Sequence, residues 1–269
     1  MIKINKDLND LPDSLKFAGG IQNVSRNVNR STYQRWQEII TLQRYPKSTT
    51  GDTSNFITNC NNRYKMTNIK SKLFKIYNHK CAFCEQRVEI LAVEHFRPKD
   101  VYYWLCYSWD NLLLACVGCN SSKGNNFDVV NRAVYTANDI NNIHGLSAQY
   151  QVLEQPKFIH PEQEDAESLL IFNIKGNVRS DDIRMKYVIK KCNLDREILS
   201  DFRKKVYDKV ENKVQDLVLQ YKVTGKKKYL HQLQGLKQDF RESCDKNNDA
   251  YNEEEFLAFR RFIINQIWI

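Results

Sequence analysis

The sequence is poor in glycine and proline, which account for 9 and 5 of its 269 residues. Disordered chains are typically short of aromatic residues, whereas aromatics make up 12% of this chain and hydrophobic residues 42%. Long apolar runs are missing, so no segment is predicted to span a membrane. The first ten residues, MIKINKDLND, lack an apolar signal-peptide stretch. We therefore expect a folded, cytoplasmic protein with a substantial core.

Hydrophobic periodicity predicts a mostly helical chain. Between residues 199 and 221, apolar side chains recur every three or four positions, which is typical of one face of a long helix. A last helix is expected within 256–268, whereas residues 47–62 and 131–180 have the turn-rich composition of loops. The expected organisation is a basic N-terminal helical region (1–75), a compact module (76–130) and a mostly helical C-terminal region (131–269).

Four of the eight cysteines form two Cys-x-x-Cys pairs, Cys81–Cys84 and Cys116–Cys119. Two residues between cysteines let both sulfurs turn towards one ion, and two such knuckles complete the tetrahedral thiolate shell of structural zinc. Such a site is closed to substrate, so its expected role is to stabilise the fold. A thiol redox role is a weaker alternative, because no thioredoxin-like strand pattern accompanies the pairs. The remaining cysteines are interpreted as packing residues: Cys60, Cys106, Cys192 and Cys244.

The residues between and just after the two knuckles contain side chains able to carry chemistry. An apolar stretch from Val88 to Val93 is a candidate strand, and Glu94-His95 follows at its end. Asn111 stands before the second knuckle, and Asn120 directly after it. Imidazole can take a proton from water near neutral pH, and carboxylate and amide oxygens are suitable ligands for Mg²⁺. These four residues are therefore the candidate catalytic group.

This pattern resembles the HNH endonuclease signature, in which a strand ends in Asp/Glu-His, an asparagine precedes the second knuckle, and Cys-x-x-Cys-Asn/His-x-x-Lys closes the motif. With asparagine at position 120, the chain resembles the HNN variant. The resemblance covers about residues 81–125 and implies an α+β chain with an embedded ββα-metal module framed by a four-cysteine zinc site. It implies hydrolysis of phosphodiester bonds.

A narrower resemblance extends to further segments, including MIKINKDLNDLPDSL, FIHPE and CNLDREIL. These segments are similar to the HNH subunit PtuB of the Septu anti-phage defence system and its retron-associated relatives. That resemblance implies an ABC-type ATPase partner subunit, PtuA-like, and a target of either DNA or RNA, including tRNA. The apolar helix expected within 256–268 is either a docking surface for that partner or part of the core.

The residues permit a division of roles. His95 would act as general base, and Glu94 and Asn120 would hold a catalytic Mg²⁺ or Mn²⁺ in addition to the structural Zn²⁺. The family pattern implies that the Asn111 amide holds the loop bearing His95 and fixes the orientation of the ring. Three cations are expected to contact phosphates beside the cut: Arg97, Lys99 and Lys123.

The charge distribution is compatible with a polyanionic partner. The net charge is +9 over residues 1–80, −1 over 81–124, −3 over 125–179 and +4 over 180–269. Basic flanks around a near-neutral middle suit a nucleic acid whose phosphates are held by the flanks. The same balance fits the solvated surface of an ordinary basic protein. A non-catalytic zinc-finger binder of nucleic acid is therefore the alternative function, although it would not require Glu94, His95 and Asn120 together.

Overall fold

A computed structural model describes residues 1–16, 28–245 and 254–268, apart from the side chains of 28–31, 138, 140 and 141. The described ranges are rich in helix and contain two small antiparallel sheets, which confirms the predicted α+β class. The helices are α1 (Val28–Leu42), α2 (Ser54–Tyr64), α3 (Thr67–Ile76), α4 (Val117–Lys123), α5 (Leu146–Glu154), α6 (Ile183–Lys191), α7 (Glu197–Thr224), α8 (Lys228–Glu242) and α9 (Leu257–Ile267). The strands are β1 (Leu91–His95), β2 (Leu112–Cys116), β3 (Ile171–Phe172) and β4 (Val178–Arg179).

The first sheet and the helix after it form a β-β-α unit. Strand β1 pairs antiparallel with β2, so that Leu91 lies opposite Cys116 and His95 lies opposite Leu112. Helix α4 follows β2 without a loop, because the Cys116 Sγ caps it by accepting the backbone N–H of Cys119 at 3.4 Å. The strand begins at Leu91, three residues later than predicted, and it includes Glu94 and His95 instead of stopping before them.

Two segments expected to be loops contain helices. Within 47–62, α2 begins at Ser54, where the Thr53 side chain accepts the N–H of Phe56. Within 131–180, α5 forms and buries Leu146 and Tyr150. Their fully buried residues are few, so the apolar periodicity that predicts a helix is weak in both.

The hydrophobic core draws on all three regions of the chain. The first knuckle is a meeting point of distant segments, because the Glu85 carboxylate lies 2.6 Å from the Met1 ammonium and accepts the N–H of Ala258 at 3.1 Å. Helix α9 buries one face, including Phe259 and Ile263, so its apolar residues serve the core. No helix in the described ranges is both long enough and apolar enough to cross a membrane.

Helices α7 and α8 extend beyond this core as an antiparallel pair. The predicted long helix is confirmed as α7, which ends where Gly225 adopts a left-handed conformation (φ 64°). The buried residues of α7 stop at Val210, and Phe240 alone is buried in α8. Residues 211–239 therefore form a helical arm whose two helices bury little except against each other.

Candidate active site and metal centre

The four predicted zinc ligands converge at one buried point. The sulfur atoms of Cys81, Cys84, Cys116 and Cys119 all lie within 4.8 Å of one another. The Cys84 and Cys116 sulfurs are 3.8 Å apart. A tetrahedral ion with metal–sulfur bonds of about 2.3 Å requires sulfur–sulfur distances of about 3.8 Å. Both the donor type and the spacing therefore fit, and the cluster could hold a metal such as zinc.

Arg196 extends the shell of the four-cysteine cluster. One guanidinium nitrogen lies 3.5 Å from the Cys119 sulfur, and the other lies 3.6 Å from the Cys116 sulfur. The guanidinium lies so close to Gly118 that a Cβ atom there would approach Nη2 to 3.1 Å. Arg196 is the residue immediately before α7. The second knuckle is thus in contact with the start of the longest helix, a link that no local motif predicted.

His95 occupies the end of β1 and is 6% exposed. Its Nε2 lies 2.9 Å from the carbonyl oxygen of Cys106. Because a carbonyl can only accept, Nε2 must carry the proton and Nδ1 keeps its lone pair. Burial and, to a lesser extent, the nearby Lys99 ammonium lower the pKa of His95 to about 3. The imidazole is therefore neutral near pH 7.

Asn111 fixes the loop that supplies this carbonyl. Its Oδ1 accepts the backbone N–H of Arg97 at 2.7 Å, and its Nδ2 donates to the carbonyls of Arg97 and Leu105 at 3.1 and 3.2 Å. Leu105 directly precedes Cys106, the hydrogen-bond partner of His95. The amide thus links both ends of the loop between Arg97 and Leu105.

Glu94 is paired with a buried lysine. The Lys123 ammonium, at the end of α4, donates to Glu94 Oε1 at 2.7 Å and to the backbone carbonyl of His95 at 2.9 Å. Burial raises the pKa of Glu94, while Lys123 opposes that rise. Asn120 is half-buried on the same helix, and its side chain makes no hydrogen bond within the part of the chain described. Lys123 thus joins α4 to the end of β1, the strand that carries Glu94 and His95.

The three predicted phosphate contacts have different surroundings. Arg97 is fully buried, with its Nε 2.7 Å from the Glu154 carboxylate, and Lys123 is fully buried beside Glu94. Neither position supports the predicted contact with phosphate. Lys99 is half-buried, lies 4.3 Å above the ring of Tyr45, and is 3.9 Å from Asp100. Of the three, Lys99 is the cation best placed to meet a substrate.

Sequence reasoning missed an aromatic neighbour of His95. The Tyr64 ring, at the end of α2, meets the imidazole edge-on with centroids 4.6 Å apart. The hydroxyls of Tyr64 and Tyr45 both donate to Asn61 Oδ1, at 3.1 and 3.0 Å. Because α2 was predicted as a loop, no spacing connected these tyrosines with the site.

Comparison with known proteins finds partial similarity to two proteins with the same name, from two Bacillus species. No family model matches the chain. The chain is similar to the Septu protein PtuB of Bacillus mycoides (strain KBAB4), with 38% identity over 87 residues that cover 26% of this chain and 30% of that protein. It is also similar to the Septu protein PtuB of Bacillus thuringiensis, with 41% identity over 76 residues, 27% of this chain and 30% of that protein.

A longer and weaker similarity involves a second Septu protein. The chain is 27% identical over 166 residues to the Septu protein PtuA of Bacillus mycoides (strain KBAB4), which covers 56% of this chain and 22% of that protein. The chain therefore spans less than a third of the length of each of these relatives. The Septu part of the sequence-based resemblance is supported by these partial matches, whereas the HNH part stays a resemblance of the sequence motif.

Proposed function

We propose that the chain is a metal-dependent endonuclease of the HNH type that hydrolyses phosphodiester bonds of nucleic acid, either DNA or tRNA. One observation carries the proposal. The His95 ring is locked through Nε2 to a loop that Asn111 holds, so its Nδ1 keeps a lone pair at the end of strand β1 in a β-β-α unit, the strand that also carries Glu94. A zinc-finger protein that only bound nucleic acid would not need this arrangement.

His95 supplies the base in this mechanism. Its Nδ1 would take a proton from the attacking water as the water approaches phosphorus. The low pKa keeps the ring unprotonated and ready to accept at neutral pH. An anionic phosphate nearby would favour the imidazolium form and raise that pKa, so the histidine would become a stronger base when substrate binds.

Glu94 and Asn120 would hold the catalytic Mg²⁺. Lys123 occupies Oε1 of Glu94, so the second carboxylate oxygen is the one available to a metal. Such an ion, when bound, neutralises phosphate charge and stabilises the leaving oxygen. Lys99 would contact a phosphate beside the cut, and Tyr64 would keep the imidazole from turning. The four cysteines would hold zinc and fix the position of α4.

The proposed biological role is that of an effector in anti-phage defence. The matches to Septu proteins support this role. We further propose an ABC-type ATPase subunit, PtuA-like, as partner. The similarity to part of PtuA indicates related sequence in that protein and does not itself indicate binding, so the partner needs its own test.

The nuclease proposal is tested by incubating supercoiled plasmid and total tRNA with the full chain, in Mg²⁺, Mn²⁺ or EDTA. Wild type is compared with His95→Ala and with Arg179→Gln, a control at an exposed arginine whose described ion pair is to Asp181. Bound zinc is measured in each protein. We expect metal-dependent cutting by wild type and the control, and a loss of at least about a hundred-fold in His95→Ala with zinc retained.

A silent wild type is next assayed together with the ATPase subunit and nucleotide. If nucleic acid is bound but not cut under those conditions, or if His95→Ala cuts as fast as wild type, the proposal is wrong and the non-catalytic zinc-finger binder becomes the better description.

A further inference from the structure

The helical arm, residues 211–239, is held together by one apolar seam. On α7 the seam residues are Val210, Val214, Leu217 and Tyr221, and on α8 they are Tyr229, Leu233, Leu236 and Phe240. The spacing of four, three and four residues on both helices is the pattern of an antiparallel coiled coil. Only the two residues at the base, Val210 and Phe240, are fully buried. The arm therefore contributes little to the core of the protein.

The distal half of the arm carries charge of one sign. Between Asp216 and Asp239 lie 22 residues with no acidic side chain and five lysines: Lys222, Lys226, Lys227, Lys228 and Lys237. Lys237 donates to the carbonyl of Trp268 at 3.1 Å, whereas no ion pair involves the other four within the described ranges. Of the four α7 lysines nearer the body, Lys204 pairs with Asp208.

The tip concentrates this charge. Lys226, Lys227 and Lys228 are consecutive and exposed; the first two lie between the helices, and Lys228 begins α8. The Lys228 ammonium lies 4.8 Å above the ring of Tyr229. Consecutive lysines without ion-pair partners repel one another, and binding of a polyanion would lower this electrostatic repulsion energy. The helical arm contributes little to the core, and its distal half has no acidic side chains to neutralise its lysines. It is therefore suited to holding the lysine cluster away from the body of the protein.

Resting on the nuclease function proposed above, we propose that the arm is a second binding surface for the nucleic-acid substrate, with Lys226, Lys227 and Lys228 contacting backbone phosphates. This surface would bind nucleic acid without preference for base sequence, because lysines interact with backbone phosphates as point charges.

The geometry gives the arm a defined reach. Arg196, at the start of α7, touches the second knuckle, and the 28 residues of α7 extend about 42 Å at 1.5 Å per residue. That length corresponds to about 12 base pairs of duplex at 3.4 Å per pair. A nucleic acid held at the active site would therefore need about that length to reach the tip, so the arm should matter for long substrates and not for short ones.

The test measures binding by fluorescence anisotropy of labelled duplexes of 30 and 8 base pairs and of labelled tRNA. A variant with Lys226→Gln, Lys227→Gln and Lys228→Gln is made in the full-length His95→Ala background, so that binding is read without cutting. The control removes the same charge from exposed lysines outside the arm, with Lys157→Gln, Lys175→Gln and Lys186→Gln. Zinc content and helical circular dichroism are compared for all proteins.

We expect the arm variant to bind the 30-base-pair duplex about ten-fold more weakly than its parent, while the 8-base-pair duplex is unaffected. The slope of log affinity against log salt should fall by about 2 to 3, since each lost phosphate contact contributes about 0.9. Should tRNA and not the long duplex respond, RNA is the substrate that the arm holds. Replacing the three lysines by arginine should retain binding and separates charge from any effect on folding.

Equal losses in the arm and control variants would show an effect of net charge alone and would overturn the inference. So would unchanged nucleic-acid binding in the arm variant, including the case in which it instead loses the ATPase subunit. If wild type cuts in a His95-dependent manner while the arm variant binds like its parent, only the arm inference fails. If the parent binds none of the probes, the proposed function fails with it.

Discussion

Arg196 is the residue through which the four-cysteine cluster meets the C-terminal helices. A site of four thiolates and one Zn²⁺ carries a net charge of −2, and its sulfur atoms accept hydrogen bonds from donors around them. Two guanidinium N–H groups approach two different sulfurs, at 3.5 and 3.6 Å. The forked, permanently charged side chain suits this position better than lysine would.

Arg196→Gln is expected to release zinc to a colorimetric chelator about ten times faster than wild type, because outer partners of metal ligands typically contribute ten- to a hundred-fold to metal affinity. Arg196→Lys should give an intermediate rate, since it keeps the charge but not the fork. The exposed variant Arg179→Gln is the control. Release from Arg196→Gln at the wild-type rate would mean that the guanidinium only packs against Gly118.

The residues of the site differ in how far their roles could be predicted. Glu94, His95 and Asn111 belong to a short motif, and local strand pairing sets their relative positions. The surroundings of Arg97 could not be predicted, because its buried partner Glu154 lies 57 residues away on a helix that was expected to be a loop. Whether a cation is free for phosphate or neutralised inside the protein depends on such distant partners.

The turn between β3 and β4 shows how a small element constrains a long helix. Gly176, at φ +81°, lies against α7 so closely that a Cβ atom there would fall 2.1 Å from the Ser200 carbonyl oxygen. The Arg203 guanidinium also donates to the Gly176 carbonyl at 3.0 Å. The base of α7 is therefore packed directly against the backbone of the turn.

Gly176→Ala should destabilise the protein more than Gly51→Ala. Both glycines have a left-handed backbone, which costs an alanine about 1 to 2 kcal/mol, but nothing lies within 4 Å of a Cβ atom at Gly51. The clash with α7 should add about 1 to 3 kcal/mol for Gly176→Ala. Urea unfolding of the two variants measures the difference directly, and equal losses would mean that the turn moves away from α7 without cost.

At the scale of elements, the long helix α7 was predictable because its seam repeats over many turns. Helix α2 was not, because its buried residues are only Cys60 and Tyr64 and four of its 11 residues are asparagines. Its helical state depends on a cap at Thr53 and on packing, which local composition does not report. The contact between Tyr64 and His95 was missed for this reason.

The whole molecule contains buried histidines that are not part of the proposed chemistry. One of them is His144, which is 9% exposed. Its Nδ1 accepts the backbone N–H of Trp109 at 3.1 Å, and its Nε2 lies 2.8 Å from the carbonyl of Leu15. Burial lowers the pKa of His144 to about 4, so the folded protein keeps the ring neutral.

Between pH 6.5 and about 4 the unfolded chain binds a proton at His144 that the folded protein does not, so acidification should remove stability. The shift from 6.5 to about 4 corresponds to about 3 kcal/mol at 1.36 kcal/mol per pH unit. Urea unfolding of wild type and His144→Asn, compared at each pH, should give a stability difference that is largest above pH 6.5 and declines towards pH 4.

The comparison with the variant is needed because Asp110 acts in the opposite direction. Burial raises the pKa of Asp110 to about 7, so its contribution to stability is lost as the pH rises. Wild type alone therefore sums two opposing trends. A difference between wild type and His144→Asn that stays constant with pH, or grows on acidification, would contradict the role assigned to His144.

The contacts that Glu85 makes beside the first knuckle, with Met1 and Ala258, have a consequence for the timing of synthesis. Ala258, whose N–H binds Glu85, is translated 173 residues after that glutamate. At about 5 to 20 residues per second, the interval is about 10 to 35 seconds. During that time β1, β2 and α4 have all left the ribosome, yet Glu85 still lacks one of its donors. The β1-β2 hairpin is therefore made early, but the hydrogen bonds of Glu85 are completed only after a further 173 residues have been synthesised.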